Sequence, residues 1–195
     1  MVVQCYTTSK LIMELKESLI IKKFLTAEES EIISSFILET ETYVKSIGPD
    51  NYIGTSDDSL TGRYWCYNYL YDMPGKILIP KIKDIFGECV VQCWANIFRN
   101  GEGIQPHKHR CNEFESGFIC ANVFLYGHNT GTWYKEVGTI VSEIGTLVMF
   151  PDDYIHGVLP NNGDCDRISI AFDIYTNPDD FNMVNEHPSR YILIK

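Results

Sequence analysis

The chain has 195 residues, of which 45% are hydrophobic and 13% aromatic. This length and composition predict one globular domain over residues 1–195 with a sizeable core. The formal net charge of −10 at pH 7 provides no overall basic surface, so we expect no nucleic-acid partner. We also expect no membrane association, because no apolar run is long enough for a span, and no secretory signal is visible.

The cysteines are seven in number, and no two of them have C-x-x-C spacing. Several lie within apolar runs typical of strands, where a thiol packs as a small hydrophobic group. An odd count without a recognisable pairing predicts reduced thiols and therefore a cytoplasmic protein.

Two amphipathic helices are predicted in the N-terminal half of the chain. Residues 26–29 fit a capping box, and the apolar spacing after them predicts a helix over about 27–45. Pro74 in a first turn, followed by apolar residues at helical spacing, predicts a second helix over about 74–86. We expect both helices to brace a sheet and to carry no chemistry.

A row of aromatic residues with period two lies between these helices. The row consists of Trp65, Tyr67, Tyr69 and Tyr71. It indicates an edge strand packed on a helix, or alternatively the aromatic wall of a substrate cleft.

Short strand-like segments separated by turn residues fill the region from about 88 to 175. Strands are predicted over residues 89–98, 118–126 and 147–150, with a hairpin formed by 132–134 and 138–141. Short strands with repeated turns, preceded by two helices, predict a mainly β jelly roll with helical bracing.

Two asparagines in these strands are candidates to face a ligand. Asn96 shares a strand face with Trp94, and Asn122 is polar among apolar neighbours. A buried amide needs hydrogen-bond partners. Asn96 could instead belong to the sheet rim, and Asn122 could instead close a local hydrogen-bond network.

The histidine pattern predicts a metal site. His107 and His109 are two residues apart, so in an extended segment they point to the same side. His156 follows after a run of strand-like segments. Imidazole suits iron, zinc, copper and nickel. The alternative for the first two is a pair of surface histidines near a loop.

An anion-binding partner for this metal site is predicted on the strand that begins near residue 167. Its residues alternate, so that Arg167 and Ser169 share one face and the isoleucines occupy the other. A guanidinium binds a carboxylate through two hydrogen bonds, and a hydroxyl adds a third. The alternative is an ordinary solvated strand face. The turn at 160–164 predicts a hairpin that places the strand of His156 beside that of Arg167.

The order and spacing of these motifs resemble those of the 2-oxoglutarate- and Fe(II)-dependent oxygenases, over roughly residues 18–175. The segments that carry the resemblance are 105–109, 116–117, 145–151, 156–158 and 167–172. The sequence is most similar to small members of the kind found in bacteria and cyanophages, and to the prolyl-hydroxylase-like branch. A phage-encoded member would act in the cytoplasm of the host.

The resemblance implies a double-stranded β-helix, which is a jelly roll, with Fe(II) as cofactor and 2-oxoglutarate as co-substrate. It implies that molecular oxygen is consumed, that succinate and CO₂ are released, and that a small-molecule or peptide substrate is hydroxylated. By the same resemblance His107 and His156 bind iron, His109 occupies the usual carboxylate position, and Arg167 and Ser169 hold the distal carboxylate of 2-oxoglutarate.

Several alternatives stay open. Because the family usually has two histidines and one carboxylate at the metal, Glu113 or Glu115 could replace His109 as a ligand. The protein could also be a three-histidine cupin-type metalloenzyme that does not use 2-oxoglutarate, or a non-catalytic jelly-roll binding protein. The segment 177–195 ends in apolar residues, and we expect it to dock on the domain or on another protomer, which would give a homodimer.

Overall fold

The computed structural model describes residues 20–48, 60–109, 117–127, 131–141 and 143–195. Within these ranges the structure has three α-helices, which are α1 (Ala27–Ile47), α2 (Met73–Phe86) and α3 (Met183–Glu186). It also has ten strands, which are β1 (Ile20–Lys23), β2 (Cys89–Phe98), β3 (Ile104–His107), β4 (Ile119–Tyr126), β5 (Gly131–Tyr134), β6 (Gly138–Val141), β7 (Thr146–Pro151), β8 (His156–Val158), β9 (Arg167–Tyr175) and β10 (Ile192–Ile194).

Both predicted helices form close to the expected positions. The capping box at the start of α1 is present, because Thr26 Oγ1 accepts a hydrogen bond from the Glu29 backbone and the Glu29 carboxylate accepts one from the Thr26 backbone. Pro74 lies in the first turn of α2, where its missing N–H costs no helical hydrogen bond. Gly87 ends α2 with a φ of 71°, a conformation that glycine adopts without strain.

The strands form two antiparallel sheets. The order in the larger sheet is β1-β7-β4-β9-β2-β10, and the order in the smaller sheet is β3-β8-β5-β6. This arrangement, with the helices outside, confirms the predicted mainly β jelly roll with bracing helices. The predicted hairpin over 132–134 and 138–141 is the β5-β6 pair.

The two faces of β9 divide the interior of the protein. Its residues Ile168, Ile170, Phe172 and Ile174 join the main hydrophobic core, which also contains the buried faces of α1 and α2. The opposite face of β9 looks into a cavity between the two sheets, which is lined by Arg167, Ser169, Ala171, Asp173 and Tyr175. The alternation predicted from the sequence is therefore present over the whole strand.

The predicted pairing of the strand of His156 with that of Arg167 is wrong. β8 belongs to the smaller sheet and β9 to the larger one, so the connection between them crosses from one sheet to the other. Asn161 stabilises this connection, because its side-chain amide donates hydrogen bonds to the backbone carbonyls of Phe98 and Cys165. His156 and Arg167 nevertheless line the same cavity, from opposite sheets.

The aromatic row between the helices is neither a strand nor a wall of the cavity. Residues 64–71 form turns and a short 3₁₀ helix over Tyr69–Tyr71. Tyr69 is buried in the main core, and Tyr64, just before the row, is the aromatic residue of this segment that lines the cavity. The period of two in this segment therefore does not reflect a strand.

The C-terminal segment docks on the domain itself, since β10 pairs with β2. The cysteines at 66, 89, 93, 120 and 165, which all lie in the described part of the chain, are free thiols. None of the helices in the described ranges is long and apolar enough to cross a membrane.

Candidate functional site

Three histidine side chains meet in the cavity between the sheets. His107 ends β3 and lies opposite His156, the first residue of β8. Their ring centroids are 4.3 Å apart, and the His109 ring lies 5.3 Å from His107 and 5.0 Å from His156. One nitrogen of each ring lies within 4.8 Å of those of the other two. The structure thus brings together all three histidines that the sequence singled out.

The second nitrogen of each ring is held by an oxygen. His107 Nδ1 lies 2.9 Å, and His156 Nδ1 3.1 Å, from the backbone carbonyl oxygen two residues earlier in the chain. His109 Nδ1 lies 2.7 Å from a carboxylate oxygen of Asp173. An Nδ1 that donates a hydrogen bond leaves the lone pair on Nε2. Three such rings fit a divalent transition metal, because this outer hydrogen bond is the usual way to orient a metal-binding histidine.

A second cluster of donor groups, formed by His109, Cys120 and Asp173, is less suited to a metal. The Cys120 Sγ lies 3.3 Å from His109 Nδ1, which already faces Asp173. Burial, followed by the charge of Asp173, raises the pKa of the Cys120 thiol well above its usual range. A neutral thiol is a poor metal ligand.

Two of the three histidines are held in the neutral form. Burial, and then the neighbouring His109, lowers the pKa of His107 to about 4. The same causes lower the pKa of His156 well below its ordinary value. Neutral imidazole is the form that binds metals, so these rings need not lose a proton to bind an ion at neutral pH.

These pKa values predict a pH-dependent stability for the metal-free protein. Between pH 6.5 and 4 the unfolded chain binds a proton at His107 that the folded chain does not, so the free energy of unfolding falls as the pH falls through this window. The loss from His107 is on the order of 3 kcal/mol, and His156 adds to it. Urea unfolding at a series of pH values measures this loss. His107→Gln should flatten the dependence, and an equally steep loss in that variant would contradict the assignment.

Arg167 is a buried cation without a carboxylate partner among the described residues. Its side chain is 1% exposed, and Nη2 donates to Thr132 Oγ1 at 3.0 Å. Its Nε is buried and has no hydrogen-bond partner. Burial lowers its pKa to about 10, so it stays protonated at neutral pH. Because an unpaired buried charge is strongly destabilising, this guanidinium fits the carboxylate of a ligand.

Polar side chains surround Arg167 on the cavity wall. Ser169 is fully buried, and its hydroxyl accepts a hydrogen bond from Asn96 Nδ2 at 3.3 Å. Asn96 Oδ1 in turn accepts one from Thr61 Oγ1 at 2.6 Å. Asn96 therefore lines the cavity, as its prediction as a ligand-facing residue requires, and it also belongs to a local hydrogen-bond network.

Asn122 also lines this cavity. Its Oδ1 is buried and makes no hydrogen bond to the described residues. A buried acceptor without a partner is rare in folded proteins, and a ligand in the cavity would supply the missing donor.

Several residues around this cavity were not singled out from the sequence. Asp173 contacts His109, Thr132 contacts Arg167, and Tyr64 and Arg190 line the cavity wall. Asp173 had a detectable signal, because it lies on the same face of β9 as Arg167. The other three reach the cavity from distant parts of the chain. Glu113 and Glu115, the alternative ligands to His109, lie outside the described residues.

Two kinds of comparison match this chain. Residues 124–173 match the model of a family described as "Putative 2OG-Fe(II) oxygenase", a range that contains His156 and Arg167. A prolyl-4-hydroxylase of Pseudomonas putida is structurally similar, with a TM-score of 0.58 and 13% identity over 88% of this chain and 100% of that one. The protein has the fold of the 2-oxoglutarate- and Fe(II)-dependent oxygenases.

Further oxygenase structures are similar to this chain. CytC3 in complex with Fe(II) and α-ketoglutarate has a TM-score of 0.58 and 14% identity, covering 88% of this chain and 78% of that one. A Trichoplax adhaerens prolyl hydroxylase, bound to a peptide of hypoxia-inducible factor, has a TM-score of 0.59 and 12% identity, covering 87% and 89%. Curated protein sequences give no match. The match over residues 124–173 confirms the resemblance to the oxygenases in that segment, and the similar structures, prolyl hydroxylases among them, share the fold of this chain.

Proposed function

We propose that the protein is an Fe(II)- and 2-oxoglutarate-dependent oxygenase that hydroxylates a small molecule or a peptide residue. The observation that carries this proposal is the buried, unpaired guanidinium of Arg167 in the same cavity as three converging imidazoles. A metal site alone would not need a buried cation. A metal site that shares its cavity with a dicarboxylic acid needs a buried cation, because the carboxylate away from the metal would otherwise be a buried charge without a partner.

In this proposal the Nε2 atoms of His107, His109 and His156 hold Fe(II). When bound, iron and 2-oxoglutarate supply the oxidising chemistry, in which O₂ is consumed, 2-oxoglutarate is converted to succinate and CO₂, and a substrate C–H becomes C–OH. The chain's own contribution is to orient the imidazoles through their Nδ1 hydrogen bonds.

The residues at the start of β9 orient the co-substrate. Arg167 would bind its distal carboxylate through the guanidinium nitrogens that are not used by Thr132. Ser169, held by Asn96, would add a hydroxyl donor. The phenyl rings of Phe98 and Phe124 lie 5.5 and 5.7 Å from the guanidinium carbon and exclude water from this end.

The test of this function is succinate formation. The iron-loaded protein should convert 2-oxoglutarate to succinate only in the presence of oxygen, with a rate that rises when a substrate is present in the assay. Succinate is quantified by mass spectrometry during screening of amino acids, peptides and nucleobases. Tight iron binding with no succinate from any pool, and no binding of 2-oxoglutarate, would refute the proposal.

One observation favours a second function. A ligand set of three histidines is typical of cupin-type metalloenzymes that do not use 2-oxoglutarate, and the middle position here holds His109. The two functions differ in their need for a cation at Arg167. Binding of 2-oxoglutarate to the metal-loaded protein therefore distinguishes them, while a protein that retains no metal would be a non-catalytic jelly roll.

The contact between Asp173 and His109 gives a further prediction. Asp173→Asn should weaken metal binding by roughly 10- to 100-fold, because the carboxylate orients His109 and makes its Nε2 a stronger donor. Affinity is measured by competition for Ni²⁺ with a chromophoric chelator. Asp179→Asn, which changes an exposed aspartate, serves as the control. Equal affinities of the two variants would show that Asp173 does not act on the metal site.

A further inference from the structure

A second arginine lines the cavity, and the proposed function does not use it. Arg190 belongs to the C-terminal segment just before β10, and its side chain forms part of the same wall as Tyr64 and Trp94. The segment was predicted only to dock on the domain. The structure places one cation of that segment at the site.

The backbone around Arg190 is held firmly. Asn68, which is 1% exposed, donates its side-chain amide to the backbone carbonyls of Arg190 and Val91, each at 2.9 Å. The Tyr71 hydroxyl lies 2.6 Å from the next backbone carbonyl, that of Tyr191. With β10 paired to β2 immediately afterwards, the backbone at Arg190 is held in place by the fold before any ligand binds.

The Arg190 guanidinium has aromatic neighbours and no anion. Its guanidinium carbon lies 5.4 Å from the centre of the Tyr64 ring and 4.9 Å from that of Tyr191. Its Nε is buried without a hydrogen-bond partner, and no carboxylate in the described ranges pairs with it. Aromatic faces orient a guanidinium, but they leave its N–H donors unsatisfied. The donors are therefore available to a ligand.

Arg190 and Arg167 flank the histidines along β9. Arg167 begins this strand. Arg190 lies at the other end, because its guanidinium packs on the Tyr191 ring, whose centroid is 5.8 Å from that of Tyr175, the last residue of β9. The two ends are on the order of 26 Å apart at the usual rise per residue. Asp173, which contacts His109, lies between them and near the Tyr175 end. One arginine is thus available for 2-oxoglutarate and the other for the substrate.

Resting on the proposed function, we propose that Arg190 binds a carboxylate of the substrate, and that the part of the substrate inside the cavity is the size of a single amino acid. Tyr64 and Trp94, whose ring centroids are 6.1 Å apart, would contact its apolar part and direct it towards His109. Trp94 lies 5.6 Å from the His109 ring. A substrate held between Arg190 and this wall therefore lies next to the metal site.

The volume of the cavity supports the proposed limit of one amino acid on the part of the substrate that enters it. The cavity has a volume of about 270 Å³, which is slightly below the range of roughly 300–1,000 Å³ that is usual for drug-sized ligands. Because 2-oxoglutarate takes part of this volume, the rest admits one small residue. The carboxylate belongs either to a free amino acid or to the C-terminus of a peptide whose last residue enters the cavity.

The experiment measures ligand binding without turnover. The protein is loaded with Ni²⁺ and 2-oxoglutarate, and its thermal unfolding is followed with each standard amino acid, its N-acetyl derivative and its N-acetyl amide. We expect at least one acid to stabilise the protein and its neutral amide to bind roughly 10- to 100-fold more weakly, which is the loss of one charge-assisted contact. Stabilisation by the free acid alone indicates a free amino acid. Stabilisation by the N-acetyl acid indicates a peptide C-terminus.

Substitutions of Arg190 test whether this residue causes the preference for an acid over its amide. Arg190→Gln should remove the difference between acid and amide, Arg190→Lys should restore part of it, and Lys195→Gln, which removes an exposed charge from the same segment, should behave as the parent. Equal binding of acids and amides to the parent, or no binding of any acid, would overturn the proposal even if the variants failed to fold.

A separate measurement tests the oxygenase proposal, so a failure of that proposal can be distinguished from a failure of the Arg190 proposal. Binding of 2-oxoglutarate to the Ni²⁺-loaded protein is measured first, by calorimetry, and it should be unchanged in Arg190→Gln. If the parent binds no 2-oxoglutarate, the oxygenase proposal fails, and the acid and amide series on the Ni²⁺-loaded protein still tests Arg190. If Arg190→Gln instead loses 2-oxoglutarate, Arg190 is a co-substrate residue and the substrate proposal is wrong.

Discussion

Arg167→Ala is expected to weaken 2-oxoglutarate binding by about two to four powers of ten while metal binding stays unchanged. The guanidinium is fully buried, contacts Thr132 with one nitrogen, and has no carboxylate partner in the described part of the chain. Removing it would leave the carboxylate of the ligand buried and unpaired, at a cost of roughly 3–5 kcal/mol. The three imidazoles are untouched by this change.

The measurement is a titration of 2-oxoglutarate into the iron-loaded, oxygen-free protein, followed by the visible charge-transfer band of the chelate. Arg167→Lys should recover only part of the affinity, because an ammonium lacks the planar fork that binds both carboxylate oxygens. Arg190→Ala is the matched control, since it removes an arginine from the same cavity. Tight binding to Arg167→Ala would remove the co-substrate assignment and favour the cupin-type function.

The part of the site that was predictable lies within single strands. The alternation of residues 167–175 is set by the pleat of a strand, so the cavity face of β9 follows from the sequence once the segment is recognised as a strand. The i, i+2 spacing also predicted that the His107 and His109 rings enter one cavity, although only His107 lies in a strand and His109 follows just after β3 ends. These predictions needed no knowledge of how the sheets pack.

The part that was not predictable depends on contacts between distant segments. The turn at 160–164 has the residues of a hairpin, but its chain crosses between sheets because Asn161 bonds to the end of β2. The turn-forming residues are the same in a hairpin and in a connection between two sheets, so they do not distinguish the two. Arg190 reaches the cavity only because Asn68 and β2 hold the C-terminal segment in place, and no local pattern around residue 190 indicates that.

Under the proposed function, the contact with Asp173 accounts for a histidine at position 109. In the resembled family a carboxylate usually occupies this position, and it offsets the charge of the metal. Here the carboxylate belongs to Asp173. It lies behind the imidazole ring of His109, 2.7 Å from Nδ1, and would not contact the metal itself. A histidine with a carboxylate behind it delivers negative charge to the metal through the ring. The three-histidine set is therefore compatible with the electrostatics of an iron site.

His109→Asp is accordingly expected to weaken metal binding by at least about 100-fold, even though it introduces the carboxylate usual for the family. An aspartate at this position would place an oxygen close to where Nδ1 now lies, within contact distance of Asp173. Two carboxylates this close cannot both be charged without a strong penalty. The loss should exceed the 10- to 100-fold typical of removing an outer partner, since a ligand is changed as well.

The double variant His109→Asp with Asp173→Asn tests this explanation, because it removes the repulsion and should regain most of the lost affinity. Competition for Ni²⁺ with a chelator measures all four combinations, and His187→Ala, at an exposed histidine, is the control. Tighter binding by His109→Asp alone would show that Asp173 does not face the ligand position. A loss of affinity in Glu113→Gln or Glu115→Gln, with none in His109→Ala, would instead assign the third ligand to a glutamate.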